Sequence, residues 1–226
     1  LHLSIRRQRQ MCIRDSVNGD GFGDIIVGDP GFVFDGQVVG RAIVYFGGDG
    51  GVDEARPPWV VLGEQPDERL GAAVGAAGDV AGAAFGISVA GAGDVNGDGF
   101  DDVVVGASGT AQLAGRAYVY LGSALGLATT PAWSVVSDQV GASFGYAVAG
   151  AGDVDGDGYS DVIVGAFQYA NGEGTEGRAY LYRGSASGLS IAHSWTAESN
   201  QAGGEFGFAV AAAGDVNGDG FGDVMV

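Results

Sequence analysis

The hydrophobic pattern along the chain has a repeating unit. Val103-Val104-Val105-Gly106 is an unbroken β-branched run, the pattern of a strand buried on both faces. Downstream, Arg116, Tyr118 and Tyr120 alternate with Ala117, Val119 and Leu121, the period-two pattern of a strand with unlike faces. Upstream, Ile87 to Ala92 is small and glycine-rich, which suits an inner strand where backbones approach closely. Trp133 to Val136, short and polar, reads as an outer edge strand. No segment carries a convincing helical period, so each unit predicts four strands.

The unit recurs in order. Phe85-Gly86, Phe144-Gly145 and Phe206-Gly207 open it. Gly40-Arg41-Ala42-Ile43-Val44-Tyr45, Gly115-Arg116-Ala117-Tyr118-Val119-Tyr120 and Gly177-Arg178-Ala179-Tyr180-Leu181-Tyr182 fall in register within it, followed by Trp59, Trp133 and Trp195. The spacing is about sixty residues, longer than the 20–45 typical of solenoid repeats. Four antiparallel strands repeated radially describe a β-propeller blade. The expected fold is all-β, a partial β-propeller of about three to three and a half four-stranded antiparallel blades whose ring is not closed by this chain. The blades are placed at residues 17–66, 71–138, 144–198 and 206–226, the last incomplete, in a single domain spanning 17–226. Leu70 to Val80 looks like a second copy of the inner-strand segment and is read as an insertion between blades.

Between the first and second predicted strands lies a loop with oxygen-bearing side chains at alternating positions. In its clearest copy these are Asp94, Asn96, Asp98 and Asp102, with glycines at 97 and 99 and Phe100 able to offer its backbone carbonyl. A tightly curled loop with this spacing aims several oxygens at one point, and calcium takes 6–8 oxygen ligands at roughly 2.3–2.6 Å. The second complete copy offers Asp153, Asp155, Asp157, Tyr159 through its carbonyl, and Asp161. The third offers Asp215, Asn217, Asp219, Phe221 through its carbonyl, and Asp223. A fourth copy has Asn18, Asp20, Phe22 and Asp24 but begins with Ser16 where the others have aspartate. One Ca2+ per loop is therefore expected, in three complete loops and one whose first ligand is replaced. If charge count decides, the loop 153–161, with four aspartates at its ligand positions, binds most tightly.

The combination of Phe-Gly, Asp-Val-Asn-Gly-Asp-Gly-x-x-Asp and Val-Val-Gly-Ala resembles the FG-GAP repeat, the blade unit of integrin alpha-subunit propellers and of many bacterial secreted proteins. The resemblance covers essentially Val17 to Val226. It implies the same ligand roles at the positions above, structural calcium between the first and second strands of each blade, and a parent ring usually closed by seven blades. The remaining blades of the parent chain are thus an implied partner. Rival loop families fit less well. An EF-hand or a dockerin needs an acidic residue at loop position 12, where Val105, Val164 and Val226 stand, and helices rather than strands alongside.

Composition removes other classes. The formal charge of -18, with arginine as the only strong base, excludes nucleic-acid binding, which needs basic patches. No apolar run is long enough for a transmembrane segment. The single cysteine, Cys12, excludes an internal disulfide framework. Arg6 to Ser16 resembles a translated transposon-type sequencing adapter. Residues 1–16 are read as such an artefact or as a disordered leader outside the fold, with aspartate as the native residue at 16.

No nucleophile elbow or phosphate-binding loop is present, and His193, placed in an outer strand, reads as a surface residue. The repeated carboxylates read as ligands rather than a catalytic pair, since active sites do not recur blade after blade. Arg41, Arg116 and Arg178 read as structural, pairing with acidic or carbonyl groups in each blade. The expected function is a non-catalytic, calcium-stabilised module of a secreted or cell-surface protein, binding a protein or glycan through loops that do not repeat. The alternative is a propeller scaffold or accessory domain of an extracellular hydrolase or lyase, with Asp29 to Val39 and Gln168 to Gly177 as the inserts able to carry substrate-binding groups.

Overall fold

The computed structural model describes residues 16–29, 32–35, 37–38, 41–49, 51–62, 84–108, 114–172 and 174–226. The second inner-strand copy at 70–80 lies outside the described residues, as do residues 1–15. Strands are the regular elements throughout: β1 (Ile25–Asp29), a small ribbon of β2 (Val33–Phe34) and β3 (Gln37–Val38), then β4 (Arg41–Tyr45). A second ribbon of β5 (Gly47–Gly48) and β6 (Gly51–Val52) precedes β7 (Trp59–Leu62). The next unit holds β8 (Ala84–Gly93), β9 (Asp102–Ser108), β10 (Arg116–Tyr120) and β11 (Trp133–Val136). The third holds β12 (Phe144–Gly152), β13 (Asp161–Ala166), β14 (Arg178–Tyr182) and β15 (Trp195–Glu198), and the last β16 (Ala211–Gly214) and β17 (Asp223–Met225). Among the described residues no helix is long and apolar enough to cross a membrane.

The strands form two four-stranded antiparallel sheets, β8-β9-β10-β11 and β12-β13-β14-β15, flanked by a three-stranded sheet β1-β4-β7 and the pair β16-β17. Register is shared: Tyr45, Tyr120 and Tyr182 pair with Ile25, Val103 and Val162. The all-β architecture of open, unclosed sheets is the one expected from the pattern. In each inner strand the pairing shifts at the glycine before the loop, and Gly93, Gly152 and Gly214 stand at φ +71°, +72° and +73°. This left-handed conformation, cheap only for glycine, turns the chain out of the sheet and into the loop.

Strand periodicity sends alternate side chains to different cores. Val103 and Val105 pack with Val44, Phe46 and Trp59 of the first sheet. Val104 packs the other way, with Val162, Val164 and Tyr180 of the third. Ile163 in turn packs in one cluster with Val210, just before β16, and Val224 of β17. Every residue of β9 and β13 is buried for this reason.

The expectation of unlike faces for the third strand needs correction in β14, where Ala179 through Tyr182 are all buried because a sheet lies against each face. In β10 it holds for exposed Arg116 and half-buried Tyr118 against buried Ala117 and Val119, and fails at buried Tyr120. The strand also ends at Tyr120, so Leu121 lies beyond it. The outer strands likewise bury their first residue where a neighbouring sheet covers it: Trp133 is 7% exposed, and its Nε1 donates to Ser190 O at 2.9 Å. Trp59 donates in the same way to Ala128 O at 3.2 Å, whereas Trp195 is exposed.

Two motif glycines meet at the joint between the second and third sheets and again between the third and the last. A Cβ on Gly106 would lie 2.0 Å from Gly145 O, and one on Gly165 would lie 2.0 Å from Gly207 O. Thus the glycine of Val-Val-Gly-Ala leaves room for the glycine of the next Phe-Gly. Phe144 and Phe206 extend the joint through parallel bridges to Gly115 and Gly177.

Candidate metal centres

The loops that start at 94, 153 and 215 each link an inner strand to the strand that follows it, the loop that starts at 16 leads into β1, and in the first three the opening aspartate acts as an organiser. Asp153 Oδ1 accepts hydrogen bonds from the N–H groups of Gly156 at 2.7 Å and Asp157 at 3.1 Å, while Oδ2 accepts from Gly158 at 2.9 Å. Asp94 and Asp215 hold their loops by the same three bonds. The fifth residue braces the seventh: Asp98, Asp157 and Asp219 accept from the N–H of Phe100, Tyr159 and Phe221, each at 3.0 Å. Glycines at positions four and six stand at positive φ, between +67° and +92°, and give the curl that side chains would resist.

The ninth residue is a latch. Asp161, fully buried, accepts Val154 N–H at 2.9 Å and Gly184 N–H at 2.8 Å, which ties the loop start to the exit of β14. Asp102 does the same with Val95 and Gly122, and Asp24 with Val17 and Gly47. Asp223 accepts from Val216 at 2.9 Å. Burial pushes the Asp102 carboxyl up to about 7; the donors Gly122 and Val95 oppose this, and the charges of Asp98 and Asp94 add to it. Burial likewise raises Asp161 to about 6, against its donors Val154 and Gly184 and with the charges of Asp155 and Asp157. Asp24 is raised for the same first reason.

Among the described residues, Asp153, Asp155 and Asp161 are the carboxylates that converge as a group of three, each offering an oxygen within 4.8 Å of the others. Oxygens bound to one cation at roughly 2.3–2.6 Å lie no more than about 5 Å apart, so these residues fit a hard divalent ion. Asp157 stands in the same loop but outside that group. In the loops 94–102 and 215–223, position three is an amide: Asn96 and Asn217 donate through Nδ2 to Asp98 and Asp219, each at 2.9 Å. Ser16, read with the leader, is instead buried inside the fold, and its Oγ donates to Asn18 Oδ1 at 2.8 Å. Asn18 Nδ2 reaches Asp20 at 2.7 Å, and Phe22 N–H donates to Asp20 at 2.9 Å.

The repeated arginines diverge. Arg178 stacks 3.6 Å over the Tyr169 ring, bonds Glu198 and lies 3.6 Å from Asp138. Arg41 lies 4.2 Å over Phe32, and Arg116 is exposed. His193 stands before β15 rather than in it, edge-on to Tyr180 at 5.5 Å, because the fourth strand begins only at Trp195. Sequence reasoning missed Arg183, whose Nη1 lies 3.0 Å from Asp155 Oδ2. Its signal was available: the residue after each Tyr-x-Tyr strand is Leu121 in one unit and Arg183 in the next.

Comparison with known proteins agrees with this architecture. Residues 85–120 match the family model described as the FG-GAP repeat, and residues 153–226 match that of the FG-GAP-like repeat. Integrin alpha-7 of Rattus norvegicus is 36% identical over 151 residues, covering 66% of this chain and 12% of the relative. Integrin alpha-PS2 of Drosophila melanogaster is 38% identical over 101 residues, covering 42% of this chain and 7% of the relative. Among solved structures, the crystal structure of rhamnogalacturonan lyase YesW aligns with TM-score 0.42 and 16% identity, over 89% of this chain and 40% of that one. The chain belongs to the FG-GAP repeat, integrin alpha-like β-propeller family. It spans 12% or less of the length of these integrin relatives.

Proposed function

We propose that the chain is a non-catalytic, calcium-binding propeller segment of a secreted or cell-surface protein. The observation that carries this reading is the convergence of Asp153, Asp155 and Asp161 in a loop whose hydrogen-bond plan recurs around Asp94 and Asp215. Asp94, Asn96, Asp98, Asp102 and the Phe100 carbonyl would hold one ion, and the corresponding residues of the loops at 153, 215 and 16 would hold the others. Bound calcium neutralises carboxylates that otherwise repel one another at the exit of each inner strand. The chain's own part is to pre-curl each loop with glycines and to tie it, through the ninth aspartate, to the sheet. Recognition of a protein or glycan falls to segments that do not repeat, such as the 167–177 loop of the third unit. Calorimetric calcium titration, paired with thermal unfolding in calcium and in chelator, tests the reading. Saturable binding and a higher melting temperature with calcium support it; no heat of binding and an unchanged melting temperature overturn it.

A further inference from the structure

The loop 153–161 differs from the other three at its third position, and its sheet differs at one matching place. Position three is Asn18, Asn96 and Asn217 elsewhere but Asp155 here, an added carboxylate. The residue that follows the third strand is apolar in the two preceding sheets, Phe46 after β4 and Leu121 after β10, but is Arg183 after β14. These positions face the loop: Leu121 and Asn96 line one cavity of about 200 Å³. In the third sheet the two exceptions meet, with Arg183 Nη1 at 3.0 Å from Asp155 Oδ2, while Asp155 Oδ1 accepts Asp157 N–H at 3.3 Å. Asp155 is 18% and Arg183 50% exposed in their side chains, so the guanidinium approaches the loop from solvent.

We infer that Arg183 is a built-in counter-ion that weakens cation binding by the loop 153–161, cancelling the charge that Asp155 adds. The inference rests on the calcium reading above. A guanidinium fixed on one oxygen of a ligand carboxylate repels an incoming divalent ion and lowers that carboxylate's effective charge. The ligand positions of the loop then carry the same net charge as those of the loops at 94 and 215, and its affinity falls to their level rather than standing above it. The first sheet reaches a related arrangement by another route. Arg56 stacks 4.1 Å over Phe46, the residue equivalent to Arg183, and its Nη1 lies 3.9 Å from Asp20 Oδ2. Charge count alone, which ranked the loop 153–161 tightest, omits this opposing cation.

A residue-resolved NMR calcium titration of the full chain tests the inference, following the Gly158 amide for this loop and the Gly99 amide as internal reference. Arg183→Gln should tighten the transition at Gly158 about two- to fivefold, the range of an ion pair this exposed, and leave Gly99 unchanged. Arg183→Lys, which keeps the charge, should stay near the parent affinity, and Arg183→Gln should lose its effect in an Asp155→Asn background. Unchanged or weaker binding at Gly158 in Arg183→Gln, with Gly99 still titrating, overturns the counter-ion role alone. Calcium-independent amides at both glycines, in parent and variant, overturn the calcium reading itself. If Arg183→Gln does not fold, the Lys variant and the salt dependence of the parent decide: raised salt screens the pair, and a midpoint ratio between Gly158 and Gly99 that does not move contradicts the inference.

Discussion

A Cβ placed on Gly97 would stand 2.6 Å from Cε1 of Tyr159, the seventh residue of the next sheet's loop. The same seat recurs: Phe100 covers Gly19 and Phe221 covers Gly156, at 2.7 and 2.6 Å. Backbone bonds follow the rings, with Ser160 N–H donating to Asp94 O at 2.9 Å and Gly222 N–H to Asp153 O at 2.7 Å. The loops at 16, 94 and 153 are thus each partly built from their successor, and their stability and metal affinity should depend on a residue outside their own nine.

Tyr159→Ala should therefore weaken calcium binding in the loop 94–102, which contains no mutated residue. Tyr159→Phe should leave it near the parent value, because the ring is kept. Gly97→Ala should cost about 1–3 kcal/mol, since an L side chain at φ +75° is strained as well as crowded by the ring. Chemical denaturation and the residue-resolved calcium titration measure both effects; equal behaviour of the Ala and Phe variants would contradict the coupling.

Substitution at the joint between sheets should be harsher. Gly165→Ala puts a methyl 2.0 Å from a backbone carbonyl that no side-chain rotation relieves. A loss of about 3 kcal/mol or more is expected, at or above the usual range for overpacking. Gly172→Ala, where a Cβ meets nothing within 4 Å but φ is +97°, should cost only the backbone strain, about 1–3 kcal/mol. Urea denaturation of the two variants separates these costs.

The third and ninth aspartates of one loop should separate metal binding from folding. Asp161→Asn alters a fully buried carboxylate that accepts two backbone N–H groups, so stability should fall by about 1–3 kcal/mol even in chelator. Asp155→Asn should reduce calcium affinity and barely change the melting temperature in chelator. If both variants behave alike in chelator, the latch assigned to Asp161 is wrong.

Tyr180 and Tyr182 should resist ionisation in base. Burial is the first cause of the raised value at each; for Tyr180 the hydrogen bond to Asp138 and its charge add to it, opposed by Arg178. Because the folded state holds these protons more tightly than the unfolded chain, the stability they contribute is complete below the ordinary tyrosine value of about 10 and is lost as pH rises beyond it. In a spectrophotometric titration of the eight tyrosines, these two should ionise only together with unfolding. Reversible titration of all eight near the ordinary value, with the fold intact, would contradict the burial argument.

Much of this was legible in the chain because it depends on local covalent geometry. Period-two alternation and the β-branched runs located β9, β10, β13 and β14 to within a few residues, and the alternating oxygens in Asp94 to Asp102 marked the curled loops. Glycine at position four of each loop allows the positive φ found there without steric cost. Packing decided the rest. β14 is buried on both faces because sheets stack on either side, which pattern within one strand cannot reveal. Gly106 is glycine because Gly145, thirty-nine residues on, occupies the space of its missing side chain. The Arg183 and Asp155 pair joins residues twenty-eight apart, of which the sequence marks Asp155 as a ligand and gives Arg183 no role. Local sequence sets which conformations each segment can adopt; which groups meet, and so what charge a loop presents to an ion, is set only when the sheets close against one another.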